Sequence, residues 1–181
     1  MVSSRGNRLS SPLMHAFRAA HDKKDAKVRV DLGVDAGEGL TAARRLTARS
    51  PISESGLQRE VLLDLAGLLN TTNLDAAEDL SDLPAVRASI LNYGFPDLSS
   101  RTIDESSLHD IARELEVTLS DFEPRLARHS IQARRDMSVG AEELKLRFVV
   151  KADLRARPVN VPVEFVAEVD MDSGKIRIDR L

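Results

Sequence analysis

Glu123 and Arg125 flank Pro124 in the run FEPRL, Phe122 to Leu126, and a carboxylate and a guanidinium at that spacing admit two chemistries. One is general acid catalysis by a carboxylate, the chemistry that glycan hydrolysis uses. The other is ion pairing. A general acid must hold its proton near neutral pH, which needs desolvation or a neighbouring anion, whereas an Arg two residues away favours the carboxylate. Glu123 therefore reads as paired. Sugar sites also use aromatic platforms, yet Tyr93 is the only Tyr and Trp is absent. Pro124 fixes its own φ, lacks an N–H and pushes Glu123 out of the helical region, so a helix reaching Phe122 should stop there. If the backbone beyond is extended, residues two apart share a face, and both charged groups are expected to leave the body of the protein on one side.

Other chemistries find no footing. Cys is absent, so there is no disulfide framework, zinc-thiolate site or thiol nucleophile, which suits a reducing cytoplasm. His15, His21, His109 and His129 have no HxxxH-type spacing, and no metal is expected. Gly33, Gly37 and Gly39 do not make GxGxxG, no Gly-rich phosphate loop precedes a Lys, and GxSxG is missing. No cofactor, small-molecule substrate or enzymatic activity is expected. The net charge of −3 conceals +4 over residues 1–56, from ten Lys/Arg against six Asp/Glu, and −7 over the remainder. That basic segment has no consecutive Lys/Arg run with aromatics, so nucleic acid is not an expected partner. No secretory signal is visible, and no apolar run approaches the roughly 18 residues of a membrane span, so a soluble cytoplasmic protein is expected.

The elements that must position these residues fall into two periods. Residues 1–56 carry scattered Ser, Gly and charge, and are expected to be a flexible extension. Within it, Leu13, Met14 and Phe17 suit a short amphipathic helix, and the alternation Val28, Val30, Leu32, Val34 suits a short strand. The main domain is expected over residues 57–181. Leu57, Val61, Leu65, Leu68 and Leu69 recur at helical spacing, and Asn70 ends that helix. Pro84 fits the first turn of a second helix, with Val86, Ile90 and Leu91 as its buried side and Gly94 as its left-handed end. Leu108, Ile111, Leu115, Leu119 and Phe122 predict a third, capped by Asp104, Ser106 or Ser107.

Beyond Pro124 the period becomes two. Ile131 and Ala133 suggest a weak strand, and Leu144 to Leu154 a long half-buried one. Val161 to Val169, a turn at Asp172 to Gly174, and Ile176 with Ile178 close a hairpin. Helices followed by strands give an α+β class, about three N-terminal helices packed on a small, mainly antiparallel C-terminal sheet. Such a sheet has edges, and unpaired edges recruit strands, with Lys151, Arg155, Lys175 and Arg177 as charged gatekeepers. Phe95, set by Pro96, reads as an aromatic anchor, and Tyr93 as interface area.

The blocks LLNTT (Leu68 to Thr72), PAVRASILNYGFPDLS (Pro84 to Ser99) and FEPRL, followed by the alternating region, resemble the TssE family of type VI secretion baseplate subunits. Its wider group includes the baseplate wedge proteins of contractile phage tails, historically labelled lysozyme-like. The resemblance covers roughly Leu57 to Leu181. It implies a structural baseplate part, placed in a wedge with TssF, TssG and TssK beneath a sheath of TssB and TssC, and a role in starting sheath polymerisation. It also implies that Glu123, Pro124 and Arg125 are the family's signature triplet, contacting the wedge core or organising the junction. Tyr93, Phe95, Ile176 and Ile178 join them as expected interaction residues. The fold of the family is similar to small anti-adaptors that bind a response regulator, which is the alternative function; the lysozyme-like label implies a glycan hydrolase with Glu123 as the acid and Asp121 or Asp97 as the second carboxylate, which ranks below both.

Overall fold

The computed structural model describes residues 9, 12–22, 52–99, 101, 105–137, 145–156 and 159–181. Helix α1 is Leu13–Asp22, α2 Glu54–Leu69, α3 the single turn Pro84–Arg87, and α4 Glu105–Phe122. Strands β1 (Gln132–Arg135), β2 (Lys145–Leu154), β3 (Val161–Asp170) and β4 (Ile176–Arg180) follow, all antiparallel, in the order β1-β2-β3-β4. The α+β class and the succession of helices then strands agree with the reading of the sequence. The chain divides into two compact units, Met1–Val61 with Ala156–Pro158, and Leu62–Arg155 with Val159–Leu181.

In the first unit Leu9 and Ile52 exchange backbone hydrogen bonds, and the first half of α2 carries Glu60. Its carboxylate accepts from Arg18 Nη1 at 2.7 Å and meets His15 Nδ1 at 2.9 Å. Burial pushes the Glu60 carboxyl up, but hydrogen bonds and charge from His15 and Arg18 outweigh it and hold the group below its ordinary 4.5. Met14 and Phe17 stay exposed on α1. The expected strand at Val28 to Val34 lies outside the described residues, as does most of the extension whose flexibility was expected.

In the second unit the sheet is built by strict alternation. Leu146, Phe148, Val150, Ala152 and Leu154 on β2, and Val161, Val163, Phe165, Ala167 and Val169 on β3, are all buried, while their neighbours reach solvent or half-exposed positions. Val150 stands opposite Phe165, and Phe148 opposite Ala167, so one face is continuous hydrocarbon. Leu65, Leu68 and Leu69 of α2 and Leu108, Ile111, Leu115 and Leu119 of α4 are the buried stripes of the helices. Helix α4 packs against β1, where Glu116 Oε1 accepts the outward N–H of Ala133 at 2.8 Å. Helix α4 begins at Glu105, so Ser106 and Ser107 fall inside it instead of capping it; Asp104 lies outside the described residues.

The segment between α2 and α4 departs from expectation. Pro84 does occupy the first turn of α3, but α3 stops at Arg87, and a separate 3-10 turn covers Ile90–Asn92. Val86 is half-buried, and Ile90 and Leu91, expected to face the core, stand in solvent. Ser89 is the reason: its Oγ accepts the Leu91 N–H at 3.2 Å, breaking the helical register that the apolar spacing implied. Gly94 does not cap a helix. Its φ of 135° lets the chain pass so close to α2's exit that a Cβ there would sit 2.3 Å from Thr71 O. That approach allows Phe95 N–H to reach Thr71 O at 2.7 Å, and Phe95 O to accept from Asn73 at 3.1 Å.

Candidate functional site

Helix α4 ends where Pro124 requires. Glu123 still donates its N–H to Leu119 O, and Leu126 N–H then closes a turn onto Glu123 O at 3.1 Å. After the turn the backbone is clamped beside the end of β2: Arg155 N–H reaches Arg125 O at 2.7 Å, and Ala127 N–H reaches Asp153 O at 2.8 Å. The expected outward projection of both charges is not what forms. Pro124 and Arg125 occupy a turn, not a strand, and the Glu123 carboxylate folds inward to 5% exposure.

Burial of that carboxylate is matched by donors. Arg125 gives Nε to Glu123 Oε1 at 2.7 Å, its backbone N–H to the same oxygen at 3.1 Å, and Nη2 to Oε2. The same Nη2 lies 2.7 Å from Asp64 Oδ2 on α2. One guanidinium thus bridges two carboxylates from α2 and the turn, a bidentate geometry that Lys lacks. Burial would lower the Arg125 pKa, but hydrogen bonds and charge from Glu123 and then Asp64 raise it. Tyr93 completes the group, its ring edge-on to Phe122 at 5.6 Å and 75°. Burial, followed by the charges of Asp64 and Glu123, pushes its phenol above 10.0, so it stays neutral. Asp64 was missed by sequence reasoning because its partner is distant in the chain; the available signal was its place three residues after Val61 and four before Leu68, at the border of the buried stripe.

The sheet's outer edge is the second candidate feature. Lys175 O accepts from Asp170 on β3, so the backbone groups of Ile176, and by alternation those of Ile178 and Arg180, face away from β3. Asn70 fills the first of these positions. Its Oδ1 accepts the Ile176 N–H at 3.0 Å and its Nδ2 donates to Ile176 O at 2.7 Å, with the second amide proton going to Ala66 O at 2.8 Å. Ile176 and Phe95, both expected as interaction residues, are buried in the core, whereas Ile178 is half-exposed. Among the supposed gatekeepers, Lys151 lies within the sheet, paired with Glu164 at 2.7 Å, and Arg177 pairs with Asp179 at 3.1 Å on the open strand.

The two carboxylates named for the glycosidase alternative are engaged within their own segments. Asp97 accepts from the Ser99 N–H at 3.0 Å and Oγ at 2.8 Å, and Asp121 lies 3.9 Å from Arg128 on the surface. No cluster of metal-binding side chains occurs among the described residues, and no helix there is long and apolar enough to cross a membrane.

The family model of baseplate wedge protein gp25 matches residues 55–159, and the chain belongs to that family, which is also the family of TssE. It is therefore a baseplate wedge-like component of a contractile tail, a kind of protein that works in contact with other baseplate components. The matched span holds α2, the Glu123–Arg125 turn and β2, and ends before β3. The searches of curated proteins and of solved structures gave no match.

Proposed function

We propose that this protein is a non-enzymatic, cytoplasmic, TssE-type subunit of a type VI secretion baseplate, joining a TssF, TssG and TssK wedge to a TssB/TssC sheath and starting sheath polymerisation. Residues 57–181 are the working domain and residues 1–56 an extension. The open edge of β4 carries this reading: Ile178 and Arg180 turn their backbone donors and acceptors outward with no strand beside them among the described residues, the arrangement that accepts an added strand. Glu123, Pro124, Arg125 and Tyr93 form the wedge-facing surface in the same reading. Both oxygens of Glu123 accept from Arg125, which also speaks for pairing over acid catalysis.

Ile178→Pro tests the strand edge. Its N–H makes no rung with β3, so the substitution should remove an outward donor while the hairpin survives. Protein that melts as wild type should fail to seed sheaths, whereas Arg177→Ala should change only association rate and salt dependence. Normal seeding by folded Ile178→Pro would move initiation to another surface. Recovery of a response regulator, without wedge or sheath subunits, in a pull-down would favour the anti-adaptor alternative.

A further inference from the structure

Ile90 and Leu91 are 81% and 68% exposed, and Leu83, seven residues earlier, is half in water. The stretch that carries them is fixed without their help. Asn92 is buried, its Oδ1 accepting the Asp75 N–H at 2.9 Å and its Nδ2 donating to Arg87 O at 3.1 Å. Ser89 Oγ donates to Val86 O at 2.8 Å, and Pro84 stiffens the first turn of α3. The polar side chains point in and the hydrocarbon points out, the reverse of what folding alone favours. A rigid apolar tip of this kind loses little freedom on binding and is a natural anchor for a partner.

The flanking charge states what partner suits it. Asp75 is neutralised by Arg87 at 2.7 Å, but Glu78, Asp79 and Asp82 have no basic group within ion-pair distance among the described residues. Asp79 accepts from the Ser81 N–H and Oγ and feels the charge of Arg87, so three carboxylates without an ion-pair partner among the described residues stand on the chain immediately before Leu83.

We propose that Leu83, Ile90 and Leu91 form a docking face for a basic amphipathic helix of a partner protein, its apolar stripe seated on these side chains and its Lys or Arg residues meeting Glu78, Asp79 and Asp82. A helix of that type presents hydrocarbon at spacings of three and four with basic residues along its border, which matches both halves of the surface. The face is separate from the β4 edge, and does not depend on strand addition.

The test uses the full chain and a labelled synthetic helix of about 18 residues built from Leu and Lys in amphipathic order, followed by fluorescence anisotropy. The Leu/Lys helix should bind wild type, and its affinity should fall about tenfold or more in Ile90→Ser/Leu91→Ser, and also in Glu78→Lys/Asp82→Lys. A Leu/Glu helix of the same pattern should not bind. Both double variants change exposed side chains, and their melting curves should superimpose on wild type. Equal binding of the Leu/Lys helix to the Ser/Ser protein, or equal binding of the Leu/Glu helix to wild type, would overturn the proposal. So would sedimentation showing a wild-type dimer that the Ser/Ser change dissolves, since the face would then serve a second copy of this chain.

Discussion

Glu123 and the pair Ile90–Leu91 break the usual partition of side chains in opposite senses: a carboxylate is buried at the α4 exit while two large hydrocarbons stand in water. The buried charge is answered inside the chain by three hydrogen bonds from Arg125, whose Nη2 also pairs with Asp64. The exposed hydrocarbon is answered by nothing on its own segment, whose rigidity comes from Asn92 and Ser89. A buried group that is fully paired explains itself through folding. An exposed apolar group held rigid by polar bonds is not explained by the folding of its own segment.

The largest expected break in that contrast is Arg125→Ala, which leaves the buried Glu123 carboxylate only the backbone N–H of residue 125 and should cost about 3 kcal/mol in urea denaturation. An exposed pair would contribute only about 0 to 1 kcal/mol, so the size of the loss reports the burial. Arg125→Ala that unfolds early yet, below its melting point, still binds wedge subunits would make the triplet an internal brace; loss of both would keep it as interface and brace together. Asn92→Ala should follow at about 1 to 3 kcal/mol, since it orphans the Asp75 N–H and the Arg87 carbonyl. Leu91→Ala, though it removes more hydrocarbon, should stay within about 0.5 kcal/mol, because that hydrocarbon already faces water. A Leu91 loss exceeding the Asn92 loss would invert the contrast.

Acid provides the smallest effect. The backbone and hydroxyl of Ser99 hold Asp97 below its ordinary 3.8, and the Ser81 hydroxyl and then its N–H do the same for Asp79. In the sheet, Arg147, against the opposing effect of burial and with help from Lys145, holds Glu168 below 4.5. Folded values below unfolded ones mean that these groups add stability above the unfolded pKa, and that it is lost as pH falls through the folded value, here below about pH 4. Carbon-detected NMR titration should show Asp79 and Asp97 with midpoints under 3.8, and Ser81→Ala and Ser99→Ala should return each toward it.

Legibility of the fold followed the kind of force at work. β2, β3 and β4 were readable because a half-buried antiparallel strand repeats its burial every second residue, and Phe148, Val150, Phe165 and Val169 obey that rule without exception. The end of α4 was readable because Pro124 acts through its own covalent geometry. What failed depended on individual hydrogen bonds. Ile90 and Leu91 fit a helical stripe until Ser89 takes the Leu91 N–H and Asn92 turns inward. Of the candidate site, the ion pair between Glu123 and Arg125 was legible from spacing, but its burial was not, nor were its neighbours Asp64 and Tyr93, contributed by segments about 60 and 30 residues away in the sequence.

Asn70 gives the molecule an order of completion. Its amide meets Ile176, 106 residues further along the chain. A ribosome adding about 5 to 20 residues each second needs roughly 5 to 20 s to travel that distance. During this interval α2 can close its last turn through the bond to Ala66 O, while the amide's remaining hydrogen and oxygen wait. Once β4 emerges, one amide joins the helix exit to the new strand, and the outward groups of Ile178 and Arg180 come into position in the same event. The β4 edge therefore matures after the helices that support it, and a chain halted before β4 lacks the outward groups of Ile178 and Arg180 on which the proposed strand addition rests.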